Sequence, residues 1–215
     1  MMRRESHGGD PGHILILNGS SSSGKTSLAR ALQTQLRQPH HHLQLDAFRS
    51  MEPTGYWDGW QEQGTAASDR QHAALCHAMN AALREYALHG QPIIFDTVLS
   101  NPVAWRHLLD DLADLPVYLI GVTCQSGELL RREHARGDRE IGLAARQYPS
   151  IHADKTYDLM IDTTARSADS CAADVVRWFD GQPTPFAFKA MQAAHEVAKE
   201  VAQKLVKDVE TASGV

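Results

Sequence analysis

An α/β chain with one five-stranded parallel sheet, covered by helices on both faces, is the fold class this sequence predicts. Three observations predict it. Short apolar runs recur along the chain, at Ile14 to Leu17, Ile93 to Phe95 and Val117 to Ile120, and runs without polar alternation suit parallel strands buried on both faces. Helix-period segments separate those runs, as alternating β and α elements require. A turn of glycine and serine, Gly19 to Gly24, joins the first apolar run to the first helical segment.

The elements follow in order. After the strand Ile14 to Leu17, a helix begins near Lys25, with Leu28, Leu32 and Leu36 four apart on one face; Pro39 stops it. Leu43 to Leu45 is a brief second strand ending at Asp46. A polar, aromatic segment precedes a helix from about Ser68 to Leu88, closed by His89 and Gly90. Pro92 to Phe95 is a third, buried strand ending at Asp96, Val103 to Leu115 a helix, and Pro116 to Thr123 the fourth strand. A helix with Leu129, Leu130 and an arginine cluster follows. Tyr157 to Asp162 is the fifth strand and Ala168 to Phe179 the helix after it.

Composition shifts after Gly181. Residues 186 to 210 read as one amphipathic helix, with Ala194, Val197, Ala198, Val201, Leu205 and Val209 on a stripe. Two readings stay open: it folds back on the domain, or it meets a second copy in a homo-oligomer. The chain therefore divides into a floppy tail (1–12), a main domain (13–181) and a helical extension (182–215).

Bulk properties exclude several classes. A net charge of -5 argues against a nucleic-acid or anionic-membrane surface. No apolar run approaches a membrane span, and the first twelve residues lack the apolar core of a secretory signal. Cys76, Cys124 and Cys171 are odd in number and widely spaced, so a cytoplasmic setting with free, core-packed thiols is expected rather than disulfides or zinc. His40, His41 and His42 read as a solvated loop entering a strand, since metal ligands need convergence rather than adjacency.

The Gly/Ser turn carries the chemistry. Gly19, Ser20, Ser21, Ser22, Ser23, Gly24, Lys25 and Thr26 fit G-x-x-x-x-G-K-[ST] between a strand and a helix, with Ser27 just inside the helix. Small residues let consecutive backbone N–H groups turn inward around an anion. The positive end of the helix points at the same place. Lys25 then adds a point charge for the β- and γ-phosphates, and the Thr26 hydroxyl ligates Mg²⁺. A nucleoside-triphosphate site is expected.

Ligands of doubly wound sheets sit beyond the carboxyl ends of the strands. Asp46 leaves strand two and Asp96 leaves strand three, so both face the cradle if those strands are neighbours. Asp96 has the position of a metal-holding carboxylate, which leaves Asp46 to accept a proton from an attacking hydroxyl. An exchange of these roles stays open. Arg132 and Arg136 are four apart on one helix face, Gly137 ends that helix and Arg139 begins the next. This suits a lid closing arginines over phosphates. Between Asp46 and the long helix, Arg49 and Arg70 are outnumbered by Phe48, Met51, Tyr56, Trp57 and Trp60. A largely uncharged acceptor with apolar parts and a free hydroxyl fits that composition.

These motifs together resemble the chloramphenicol phosphotransferase-like family. They stand as Ile16 to Thr26, Leu45-Asp46, Ile93 to Asp96, Arg132 to Arg139 and Tyr157 to Thr164, with similarity over about residues 13 to 180. The resemblance implies a nucleoside-kinase-like, three-layer P-loop fold and ATP-dependent phosphorylation of a small molecule's hydroxyl, with Asp46 as base. The segment from Phe48 to Thr65 departs from the family's acceptor-binding stretch. The expected arrangement has MgATP on residues 19 to 27 and its base near Thr163 and Thr164. Asp46, Lys25 and Arg136 act on the transferring group, while Arg132, Arg136 and Arg139 close over it. A gluconate- or shikimate-type metabolic kinase and a nucleotide-dependent switch ATPase are the rival readings.

Overall fold

The structure is a computed structural model that describes residues 9–56, 65–136 and 142–212. Its sheet has five parallel strands: β1 (Ile14–Asn18), β2 (His41–Gln44), β3 (Ile93–Thr97), β4 (Val117–Thr123) and β5 (Leu159–Asp162). Their spatial order is β2-β3-β1-β4-β5. β3 thus lies between β1 and β2, so Asp96 adjoins the Gly/Ser turn and Asp46 sits one strand farther out. The strands carrying the turn, Asp96 and Asp46 are thus neighbours in the sheet, the condition set for both carboxylates to face the cradle.

β1 shows why the apolar runs lack alternation. Ile14 and Ile16 enter one core with Phe95, Leu119 and Leu83. Leu15 and Leu17 enter the other, with Leu28, Leu32, Ile94 and Val175. Successive side chains point to opposite faces, and both faces are covered. Burying each such side chain contributes roughly 1.5–3 kcal/mol. Helices α1 (Lys25–Gln35) and α7 (Ala168–Asp180) cover the second core. Helices α3 (Thr65–Leu88), α4 (Pro102–Asp111) and the start of α8 (Ala187–Ala212) cover the first. Three shorter helices, α2 (Leu45–Arg49), α5 (Ser126–Arg136) and α6 (Leu143–Ile151), follow the carboxyl ends of β2 and β4.

Several boundaries differ from expectation. β2 ends at Gln44, and Leu45 and Asp46 already belong to α2. β5 starts at Leu159, and the Asp158 carboxylate just before it bridges two other elements. It accepts the N–H groups of Leu119, Phe186 and Ala187 at 2.8, 2.9 and 3.0 Å, tying β4 to the N-terminus of α8 as a cap does. The long helix begins at Thr65, earlier than the expected Ser68.

Helix α8 answers the open question in two halves. Ala187 and Phe188 are buried in the core, Gln192 Nε2 donates to Leu109 O at 2.8 Å, and Lys199 Nζ reaches Asp110 at 3.0 Å. Its first half folds back on the domain. Val197, Val201, Leu205 and Val206 are each more than half exposed, so the rest of the stripe faces outward.

The histidine tract is not a solvated loop throughout. His40 is buried, and its Nε2 lies 2.7 Å from His13 Nε2. Its Nδ1 pairs with Gln38 O at 2.7 Å, which makes Nδ1 the protonated nitrogen and leaves Nε2 to accept from His13. The His13 ring also faces Phe179 and Tyr118. Burial, then the neighbouring His40, holds the His13 pKa down to about 4. Below its ordinary value the unfolded chain binds the proton and the folded one does not, so stability falls from about pH 6.5 towards the folded pKa. Acidification from about pH 7 to 5 should therefore lower the melting temperature, and His13→Phe, which keeps the aromatic contacts, should flatten that decline. An unchanged slope in the variant would remove His13 from the account.

Candidate active site

The turn after β1 is shaped by three backbone constraints. Gly24 has φ +90 and Ser22 φ 60, both left-handed, so N–H groups swing to one side. At Gly19 a Cβ would come within 2.3 Å of Val122 O; only glycine lets the turn pass that close to β4. The hydroxyls of Ser21, Ser22 and Ser23 are buried without a hydrogen-bond partner among the described residues. Buried polar groups usually find partners; of these three residues, Ser21 and Ser22 line the cleft together with Lys25, where a polyphosphate would meet them. Lys25, itself 7% exposed, donates to Gly19 O at 2.9 Å and Ser20 O at 2.8 Å. Its ammonium thus sits inside the loop.

Beside it, Thr26 Oγ1 donates to Asp96 Oδ2 at 2.5 Å. Burial pushes the Asp96 pKa up, but the His42 imidazole, the Lys25 ammonium and the Thr26 hydroxyl together hold it below the ordinary carboxylate value. Asp96 therefore stays anionic next to a hydroxyl, a donor pair suited to a hard divalent cation. His42 Nε2 lies 3.7 Å from Asp96 Oδ2 and has no hydrogen-bond partner among the described residues.

A cleft of about 650 Å³ runs past these groups, a volume suited to small-molecule ligands. Ser21, Ser22, Gly24, Lys25, Thr26 and Ser27 line it, with Asp96, Arg132 and Thr163. Asp46, Arg49, His72, Ser100 and Asn101 line the same cleft. Asp46 is exposed in the first turn of α2, unlike buried Asp96. Arg49 Nη2 lies 3.4 Å from His72 Nδ1.

Gly19, Ser20 and Ser23 stand behind the lining, supporting the turn. Thr163 is a brace: its hydroxyl donates to Ser23 O at 2.7 Å. Arg132 donates to Thr163 Oγ1 at 3.1 Å, to Thr163 O at 2.7 Å and to Glu128 at 2.7 Å. Hydrogen bonds from Arg131 and Arg132 hold the Glu128 pKa down to about 2. Thr164 turns instead to Asp162 Oδ1 and accepts the Gln125 N–H. Arg136 ends α5, its side chain outside the description; Arg139, Trp57 and Trp60 lie outside the described residues.

Sequence reasoning missed three contributors. Glu133, buried between the two lid arginines in sequence, accepts Gly142 N at 3.0 Å and Ala144 N at 2.7 Å, locking α5 to the start of α6. Asn18 receives Leu99 N and donates to Ile151 O and Tyr157 Oη, anchoring the far end of α6 under the turn. Gln147, midway along α6, accepts the Ser21 N–H at 2.7 Å. For Glu133 the signal that could have found it is an acid inside an arginine run. The other two depend on folding alone.

Comparison with known proteins decides the family. Residues 12–180 match the chloramphenicol phosphotransferase-like protein family. The chain belongs to that family. This phosphotransferase-like chain is 29% identical over 198 residues, 84% of its length and 88% of the relative's, to a Mycobacterium tuberculosis protein bearing the name "Putative O-phosphotransferase". Among solved structures it resembles the M. tuberculosis APS kinase in complex with AMPPNP and APS, with TM-score 0.59 and 17% identity over 80% of this chain and 99% of that one. It also resembles the Deinococcus radiodurans tunicamycin resistance protein, with TM-score 0.55 and 17% identity over 79% of this chain and 96% of that one. The fold of this family member is thus that of the P-loop kinases. Among the described residues no helix is long and apolar enough to cross a membrane.

Proposed function

We propose that this chain is an ATP-dependent O-phosphotransferase that moves the γ-phosphoryl group to a hydroxyl of a small molecule, with Mg²⁺ as cofactor. The observation that carries this reading is one cleft lined by the serine-rich turn, the Thr26–Asp96 pair and Asp46. Bound MgATP would supply the phosphoryl group and a charge-neutralising cation. The turn's amides and Lys25 would hold the phosphates, and Thr26 with Asp96 would hold the metal. Asp46 orients the acceptor hydroxyl and takes its proton. The exposure of Asp46 against the burial and anionic pairing of Asp96 supports this division of roles over the exchanged one. Arg132 stands at the turn's edge, and Arg136 and Arg139 complete the proposed lid.

The family's name and the tunicamycin-resistance neighbour support an antibiotic acceptor. Arg49 beside His72 favours a second reading, an acidic acceptor of the gluconate or shikimate type. Residues 13–181 would form the catalytic unit. Three buried, free cysteines support a reducing, cytoplasmic setting. The outward stripe of α8, with balanced charges around it, supports pairing of two copies. One experiment separates the acceptor readings: incubate the protein with MgATP and a panel of hydroxylated antibiotics and sugar acids, and follow product mass. A gain of one phosphoryl group on a neutral antibiotic supports the first reading, and on a sugar acid the second. ATP hydrolysis indifferent to every acceptor would contradict both and favour a switch ATPase.

A further inference from the structure

Ser21 is 2% exposed, and its N–H points from the cradle to Gln147 Oε1 at 2.7 Å. Gln147 itself lines the cleft. Its helix is pinned at both ends, at the start by buried Glu133 on Gly142 N and Ala144 N, and at the end by Asn18 on Ile151 O. The side-chain carbonyl therefore reaches a cradle amide from a fixed base. A carbonyl there satisfies a buried donor that otherwise costs free energy to leave unpaired. It is also an acceptor located where a phosphate oxygen would compete for the same N–H.

We infer that Gln147 is a gate on the phosphate cradle: its carbonyl competes with the nucleotide for the Ser21 amide and so sets nucleotide affinity. This rests on the reading that the serine-rich turn holds a polyphosphate. The competition is lopsided by chemistry. A phosphate oxygen is ionised, and hydrogen bonds to ionised acceptors are stronger than those to neutral amides. A triphosphate thus displaces Gln147, whereas a weakly charged occupant does not. A glutamate in its place would be a charged rival, held by the same helix at the same amide.

The charge and length of residue 147 then make opposite predictions for two variants. Gln147→Ala removes the rival and should tighten ATP binding about two- to tenfold, the worth of one neutral hydrogen bond. Gln147→Glu should weaken it by about tenfold or more. A merely structural glutamine would make both variants weaker. The measurement is calorimetric titration of wild type, Gln147→Ala, Gln147→Met and Gln147→Glu with ATP, without any acceptor. It is paired with hydrogen exchange of the Ser21 amide without nucleotide, expected to be faster in the alanine and methionine variants. Gln147→Met keeps the side-chain bulk, so a loss of packing in the alanine variant is recognised by contrast. Alanine and methionine variants that bind no tighter than wild type, or a glutamate variant that binds as tightly, would overturn the inference. Wild-type protein that binds no ATP would instead sink the cradle reading itself.

Discussion

Lys25→Ala should lower kcat/KM for ATP by about a thousandfold or more, equivalent to roughly 4 kcal/mol of transition-state stabilisation. The side chain is buried, and its ammonium joins Gly19 O and Ser20 O from within the turn. Truncation removes the fixed cation from the place where charge develops on the transferring group, and also leaves two loop carbonyls without that donor. A guanidinium is planar and longer, so Lys25→Arg should not restore activity. Steady-state kinetics with circular dichroism as a folding control checks this. Activity within about tenfold of wild type in a folded variant would contradict the role, since removing even one preorganised donor costs more.

Asp46→Asn should cost less, about a hundredfold in kcat with little change in the KM for ATP. The amide still aligns an acceptor hydroxyl but does not take its proton. Phosphoryl transfer passes through a loose transition state, so the proton moves late and the base contributes less than positioning and charge neutralisation. The exposed setting of Asp46 on α2 fits that modest share. Turnover equal to wild type would remove the assigned role, and a loss larger than that of Lys25→Ala would reverse the ranking.

The two residues differ in how they could be read from sequence. Lys25 belongs to eight consecutive residues whose backbone shape their own side chains dictate, so the turn was legible before folding. Asp46 was legible as a carboxylate at a strand end, but its distance from the turn was not. The insertion of β3 between β1 and β2 is a through-space fact, set by which apolar runs pack together. The same holds for Gln147, Asn18 and Asp158, whose partners lie 126, 133 and 39 residues away. No local pattern marks a residue whose role is to reach a distant amide. His42 reads like its neighbours in sequence because adjacency says nothing of direction; in a strand, successive residues such as His41 and His42 face opposite ways. The apolar runs, by contrast, needed only composition, because a strand buried on both faces has no polar face to reveal.

The account rests on the serine-rich turn holding a polyphosphate whose terminal group faces Asp46. Diffraction from crystals grown with magnesium and a non-hydrolysable ATP analogue tests it most directly. The account predicts phosphates within the amides of Ser21 to Thr26, a metal between Thr26 and Asp96, and the terminal phosphate turned towards the Asp46 side of the cleft. Density for the nucleotide elsewhere, or a terminal phosphate facing away from Asp46, would contradict it.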